Sequence, residues 1–283
     1  MKIIDGKKLA KEIRESVKNK VQENFINKGK AVPCLACIIV EGNSASEIYV
    51  RSKIKACEEC LLSSKIVRLK ENISEQELLN EIEKLNQNKA VSGILLQLPL
   101  PSHLDENKAI NKIAPEKDVD CLTNPSLGAL FSKTGIIAPC TATGIIKILK
   151  SENYEISGKR AVVIGRSLLV GKSVALLLEQ ENATVTLCHS KTQNLKEITK
   201  QADILVVAIG KQEFITNGFV KQGAFVIDVG INRTEHGIKG DVNFESVKNI
   251  ASYITPVPGG VGPLTVACLM ENTLILHEKY NKN

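Results

Sequence analysis

Several side chains in the first half of the chain could do chemistry together. Tyr49 and Lys53 stand four apart in the helical pattern IYVRSKIKACEE, so both emerge from one helix face and can reach one ligand. A lysine works as acid or base when burial and neighbours lower its pKa, and a tyrosine hydroxyl can stack above it or relay to it. An ordinary exposed lysine beside an amphipathic tyrosine has the same spacing. Gln97 ends the apolar run GILLQ, at the carboxyl edge of a strand where α/β proteins place ligands. Its amide can orient Lys53 or a substrate carbonyl, or merely cap the strand. Asp118 and Asp120 alternate in KDVDC, so an extended backbone sends both to one side with Val119 opposite. A carboxylate there suits an edge with two adjacent N–H donors, as an aminopyrimidine or a guanidinium presents. Solvated loop aspartates are the other reading.

The second half holds a different chemistry. AVVIGRSLLVGKS places a buried strand, a glycine turn and a helix start in the order of a dinucleotide site: Gly165 permits the turn, Gly171 permits close packing, and the helix N-terminus offers N–H groups to a pyrophosphate. It departs from G-x-G-x-x-G because Arg166 and Ser167 follow the first glycine. An NAD site normally ends the next strand with an acid that holds the ribose 2′-hydroxyl, and LCHSK has none. Arg166 and Ser190 can hold a 2′-phosphate instead, which predicts NADP over NAD. Near the end, the loop Pro258-Gly259-Gly260-Val261-Gly262-Pro263 lets backbone approach a flat ligand. Pro263 reads as the first residue of the following helix.

The elements that must position these residues alternate along the chain. Residues 5–28, 46–61 and 73–85 read helical, the last opened by the capping box Ser74-x-x-Glu77, and residues 34–40, 63–69 and 91–96 read as strands. Residues 99–143 are broken by proline and glycine, and the crossing between domains is expected there. A second βα series follows, with strands at 161–164, 184–188, 204–209 and 225–229, a helix at 170–181, a last strand at 253–255 and a helix at 264–278. Such alternation means parallel sheets with helices on their faces.

Composition narrows the class. With 283 residues, 43% hydrophobic and 24% charged, the chain can bury cores for two ordinary domains. The net charge of +6 comes from basic residues spread along the chain, which argues against a dedicated nucleic-acid surface. The amino end lacks the apolar segment of a secretory signal and no apolar run spans a membrane, so a cytoplasmic protein with reduced thiols is expected. Cys34-x-x-Cys37 and Cys57-x-x-Cys60 have the spacing of a zinc ribbon. The first pair lies in an apparent strand, where residues three apart face opposite ways, and the second in a helical pattern. No metal is therefore expected, and a cysteine-metal or nucleic-acid-binding module is the alternative of another class.

Together these segments resemble the bifunctional methylenetetrahydrofolate dehydrogenase/cyclohydrolase family. The likeness rests on Tyr49-Val50-x-x-Lys53, QLPLP from Gln97, KDVD from Lys117, PCTATG from Pro139, GRSLLVGKS from Gly165, ATVTLCHSKT from Ala183, VIDVGIN from Val226, GDV from Gly240 and TPVPGGVGP from Thr255. The resemblance implies a two-domain α/β fold: an N-terminal folate-binding catalytic domain over 1–138 and a Rossmann-type NADP-binding domain over 139–263, with a cleft between them. It implies that a carboxyl-terminal helix over 264–283 packs back on the first domain, and that the chain forms a homodimer. It further implies an enzyme of one-carbon metabolism that oxidises 5,10-methylenetetrahydrofolate with NADP and hydrolyses the product to 10-formyltetrahydrofolate. A dehydrogenase with weak or lost hydrolase activity is the alternative among enzymes. Carried over by position, Lys53 is the catalytic lysine, Tyr49 packs on the folate, Gln97 tunes the lysine and Asp120 anchors the pterin. Gly165, Arg166, Ser167, Ser190 and Ile231 contact the cofactor, and Pro258, Gly259 and Gly260 border the folate. The chain departs from the family at Cys121, where glycine is usual, at Ala142 in place of the proline of PCTP, and at Ser173, where proline often follows Gly-Lys.

Overall fold

Strands that are apolar along their length must be covered on both faces, and CLACIIV, GILL, ILVV and FVID, the last polar only at its final residue, are such strands. In a computed structural model, which describes residues 1–42, 44–235 and 237–280 and not the side chains of residues 44–46 and 48, each lies inside a parallel sheet. Residues 281–283, the end of the expected carboxyl-terminal helix, are outside the described residues. The first elements are β1 (Lys2–Ile3), α1 (Gly6–Asn24), β2 (Cys34–Val40), α2 (Ser44–Glu59), β3 (Ser63–Leu69), α3 (Glu75–Gln87), β4 (Gly93–Leu96), α4 (Glu106–Lys112) and α5 (Asn124–Phe131). Then follow α6 (Cys140–Ser151), β5 (Arg160–Ile164), α7 (Ser173–Gln180), β6 (Thr184–Cys188), α8 (Leu195–Thr199), β7 (Ile204–Val207), β8 (Phe225–Asp228), β9 (Asn232–Thr234), β10 (Gly237–Lys239), α9 (Phe244–Val247), β11 (Tyr253–Ile254) and α10 (Val261–Tyr280).

The chain divides into two units, one of Lys11–Ala138 with Val266–Asn283 and one of Met1–Ala10 with Pro139–Thr265. The first holds the three-stranded parallel sheet β3-β2-β4. On one face of β2, Ala36, Ile38 and Val40 pack with Leu78, Ile82 and Leu85 of α3 and with Leu104, Ala109 and Ile113 around α4. The capping box of α3 is present in both directions: Ser74 Oγ accepts the Glu77 N–H, and the Glu77 carboxylate accepts the Ser74 N–H at 2.9 Å. The segment that reads as broken in sequence contains α4 and α5, capped by Asp105 and Thr123. At 7 and 8 residues they are too short to show a helical period.

The second unit holds a six-stranded sheet in the order β1-β11-β8-β7-β5-β6, every pairing parallel. Its strand β1 comes from the extreme amino end, which the expected division at 1–138 left in the other domain; Lys2 pairs with Tyr253 and Ile3 with Ile254. Two residues are too few for a sequence pattern to reveal. The helix expected from residue 264 begins at Val261, so Pro263 sits within its first turn, where a missing N–H breaks no helical bond.

His277 on α10 anchors the amino edge of the first unit's sheet. Cys34 N–H donates to Ser92 Oγ at 2.9 Å, and Ser92 Oγ lies 2.8 Å from His277 Nδ1. Which of the two donates depends on the histidine tautomer, and a ring that accepts at Nδ1 is neutral. Burial lowers the pKa of this histidine. Below about pH 6.5 the unfolded chain therefore takes up a proton that the folded chain refuses, so stability present at neutral pH is lost as pH falls through that value. Urea denaturation at about pH 7.5 and about pH 5.5 is expected to show a lower midpoint at the acid pH. In His277→Gln that particular decrement should shrink; an undiminished decrement would remove His277 as its source.

Candidate active site

Gln97 follows β4 directly and extends its ladder, its N–H donating to the Ile38 carbonyl at 2.9 Å. The side chain is 9% exposed, and a buried amide must satisfy both ends. Its Nε2 donates to the Leu98 carbonyl at 2.6 Å, which turns Oε1 outward, and Oε1 accepts from Lys53 Nζ at 2.9 Å. Lys53 is half-buried on α2, with Tyr49 one turn earlier and exposed. Helix spacing brings Lys53 to the sheet's carboxyl edge, and the strand end fixes the oxygen that receives it. On β2, burial pushes the Cys37 thiol up to about 12, with the Lys53 charge pulling it down and the Asp120 charge pushing it further up. One thiol thus lies within electrostatic reach of both the lysine and the aspartate.

The extended reading of KDVDC does not hold. Lys117 closes a 3₁₀ turn, Pro115–Lys117, and its Nζ donates to the carbonyls of Leu85, Asn86 and Asn88 at the end of α3. Asp118 is 2% exposed and accepts the Thr123 N–H at 2.7 Å, so it is a structural residue. Val119 and Asp120 form a turn closed by the Cys121 N–H, which donates to the Asp118 carbonyl. Asp120 is half-buried and distinct in environment from Asp118. Asn272 Nδ2 holds the turn by donating to the Val119 carbonyl at 2.9 Å. Backbone hydrogen bonds of this turn, invisible to an alternation count, overrode the two-residue period. Cys121, the departure from glycine, adopts φ +56° and buries its thiol near the carbonyls of Ser126 and Ile137.

In the second unit the order β6-β5-β7-β8 makes the chain reverse direction across the sheet between β5 and β7, the crevice where doubly wound folds bind ligands. Gly165 leaves β5 at φ +120°, and a Cβ there would lie 2.1 Å from the Ala208 carbonyl oxygen. A Cβ on Gly171 would lie 2.0 Å from the Gly165 carbonyl oxygen. Both positions require glycine, and the two together bring the first helical turn against the strand end. That turn, Leu168–Lys172, is π-helical, and the Ser167 side chain does not cap it. Arg166, Ser167 and Leu168 are exposed around it. After β6, Thr192 Oγ1 accepts the His189 N–H and His189 Nδ1 accepts the Lys191 N–H, leaving Ser190 exposed at the tip. Ile231, after β8, is 47% exposed. This glycine cradle with adjoining exposed arginine and serines fits a phosphorylated dinucleotide.

The Pro258-Gly259-Gly260 loop belongs to the same unit. Gly259 has φ +107°, and a Cβ on Gly6 would lie 1.9 Å from the Gly260 carbonyl oxygen, so the start of α1 packs directly on this loop. Gly6 carried no role in the sequence reading. Asp228 and Asp241 were also missed: both are buried beside the loops that follow β7 and β8. Burial pushes the Asp228 carboxyl up to about 7, against three backbone N–H donations that pull it down. The signal was available, since FVID ends an apolar strand on a polar residue as GILLQ does. Among the described residues no three His, Cys, Asp or Glu side chains are grouped to hold a metal, and no helix is long and apolar enough to cross a membrane.

Residues 4–120 match the family described as tetrahydrofolate dehydrogenase/cyclohydrolase, catalytic domain, and residues 139–281 match its NAD(P)-binding domain. The chain is 53% identical over 273 residues to the bifunctional protein FolD of Thermodesulfovibrio yellowstonii, covering 96% of this chain and 95% of that protein. The crystal structure of the bifunctional methylenetetrahydrofolate dehydrogenase/cyclohydrolase FolD from Campylobacter jejuni superposes with a TM-score of 0.95 at 46% identity, covering 99% of each chain. The Trypanosoma brucei enzyme, complexed with NADP and an inhibitor, gives 0.94 at 38% identity over 99% of this chain and 98% of that one.

Proposed function

The chain belongs to the tetrahydrofolate dehydrogenase/cyclohydrolase family, and on that premise we propose how its own residues carry the two reactions. It is a bifunctional enzyme that oxidises 5,10-methylenetetrahydrofolate to 5,10-methenyltetrahydrofolate and hydrolyses this to 10-formyltetrahydrofolate. The observation that carries the residue assignment is the hydrogen bond from Lys53 to the fixed oxygen of Gln97.

In the hydrolytic step water adds to the cationic methenyl carbon, a carbon–nitrogen bond opens, and one proton must leave. Gln97 takes one N–H of the Lys53 amine and so orients it. Lys53 then accepts the proton of the attacking water, directly or through a second water. Tyr49, exposed one turn away, packs against the folate. Asp120 holds the aminopyrimidine edge, whose paired N–H donors match its two oxygens. Pro258, Gly259 and Gly260 line the folate with backbone, which a side chain would displace.

When bound, the nicotinamide dinucleotide accepts the hydride of the first step. Gly165 and the turn behind it receive the pyrophosphate, Ile231 lies against the cofactor, and Arg166, Ser167 and Ser190 hold a 2′-phosphate. Because β6 ends without an acid, the chain selects NADP. Both halves of the machinery are intact in side-chain terms, which supports two activities rather than a dehydrogenase alone. The resemblance further supports a homodimer acting in the cytoplasm.

Lys53→Met is expected to lower hydrolysis of methenyltetrahydrofolate by a factor of about 10² to 10⁴, the usual contribution of a positioned acid or base. Dehydrogenation, which depends on aligning two rings, should fall much less; equal losses in both assays would remove the lysine from a hydrolysis-specific role. Catalytic efficiency with NADP should exceed that with NAD by at least about tenfold, the scale of one charge-assisted phosphate contact. A preference for NAD would defeat the assignment of Arg166 and Ser190.

A further inference from the structure

Two buried carboxylates in the dinucleotide-binding unit take no part in the chemistry above. Asp228 ends β8 at 3% exposure, and Asp241, two residues beyond β10, is fully buried. Asp228 Oδ1 accepts the N–H groups of Gly230 at 3.0 Å and Asp241 at 2.9 Å, and its Oδ2 accepts that of Val242 at 2.9 Å. Asp241 Oδ2 accepts the N–H groups of Ile209 at 2.7 Å and Gly210 at 2.9 Å, while its Oδ1 accepts that of Lys211 at 2.8 Å and Asn232 Nδ2 at 2.9 Å. Glycines make room for both groups: a Cβ on Gly240 would lie 1.8 Å from Asp228 Oδ2, and one on Gly230 would lie 2.2 Å from Asp241 Oδ1.

A buried carboxylate is tolerated only where donors occupy its oxygens. Here the donors come from separate loops at one sheet edge. Residues 209–211 follow β7 next to Ala208, whose carbonyl abuts Gly165 at the switch point. Ile231 is bracketed by Gly230, bonded to Asp228, and Asn232, bonded to Asp241. Each aspartate therefore grips one side of the exposed Ile231, and Asp241 also grips the loop at the crevice floor. Neither loop has regular secondary structure across 208–211 or 229–231 to fix it otherwise.

We infer that Asp241, backed by Asp228, is a positioning residue for the dinucleotide: it sets cofactor affinity by fixing the backbone at 209–211 and at Ile231 without itself touching the cofactor. This rests on the reading of the Gly165 crevice as the cofactor site. It also explains why GDV and VIDVGIN occur as separate stretches in one chain, since each supplies one carboxylate and a glycine that the other carboxylate requires.

The test uses the full-length enzyme, with NADPH fluorescence titration for binding and hydrolysis of methenyltetrahydrofolate without dinucleotide as the internal comparison. Asp241→Asn, folded by circular dichroism, is expected to weaken NADPH binding about tenfold or more, since a charge-accepting oxygen is lost. Hydrolysis should stay within about twofold of the unsubstituted enzyme, as expected for a site that does not share these contacts. Asn232→Ala removes one donor and should weaken NADPH binding about threefold; it decides the matter if Asp241→Asn does not fold. Unchanged NADPH binding in the folded variants overturns the inference, as does a parallel collapse of hydrolysis and binding. Gly165→Ala separates the two layers. If it abolishes binding while the Asp241 and Asn232 variants bind normally, only the positioning role fails; if binding survives it too, the cofactor site itself is misplaced.

Discussion

A single hydrogen bond, from Lys53 Nζ to Gln97 Oε1 at 2.9 Å, is the interaction on which the proposed chemistry of the first unit depends. Its geometry follows from constraints that begin well away from it. Strand β4 is buried on both faces, so its polar terminus is the first place where a side chain can turn toward a ligand. The Gln97 amide directs its nitrogen to the Leu98 carbonyl and presents its oxygen to Lys53. Lys53 meets that oxygen because α2 packs beside β2 with this face toward the strand ends. A lysine held at one N–H has a defined direction for the rest of its valence, and a flexible four-carbon stem would otherwise have none.

The second unit solves its problem with backbone. Gly165 and Gly171 let a strand end and a helical turn approach to distances that no Cβ allows, so that on the proposed reading backbone N–H groups meet the pyrophosphate. Such a turn is only as well placed as the loops beside it, and those loops are irregular. Buried carboxylates and the contact of Gly6 with Gly260 supply the order that helices and strands supply elsewhere. The division of labour is physical: proton transfer needs a named side chain with a chosen direction, whereas hydride transfer between two rings needs rigid, close-fitting walls.

Much of this was legible in the residues. The bounds of β2, β3 and β6 coincide with the strand segments read from the sequence, and the capping box of α3 is made in both directions, because those signals are local. The pairing of Lys53 with Gln97 was readable from two independent edges, a helix spacing and a strand end. What stayed hidden depends on partners distant in sequence or on elements too short to show a period. Strand β1 has two residues and gains meaning only from Tyr253 and Ile254. Asp118 and Asp120 look equivalent in KDVDC, yet a Thr123 N–H draws one inward and a turn carries the other elsewhere. Asp228 and Asp241 become a pair only when residues thirteen apart fold back on one another through the β9–β10 hairpin.

On the proposed mechanism the reacting carbon of the folate is brought to Lys53 while its pyrimidine edge is held by Asp120. A crystal structure of the enzyme with a 5,10-bridged folate analogue measures this directly. The expected result is Lys53 Nζ within about 3.5 Å of the one-carbon bridge or of a water touching it, and the Asp120 carboxylate at hydrogen-bond distance, about 2.9 Å, from the aminopyrimidine nitrogens. An analogue bound with its bridge remote from Lys53, or with its pyrimidine edge held by another group, would contradict it.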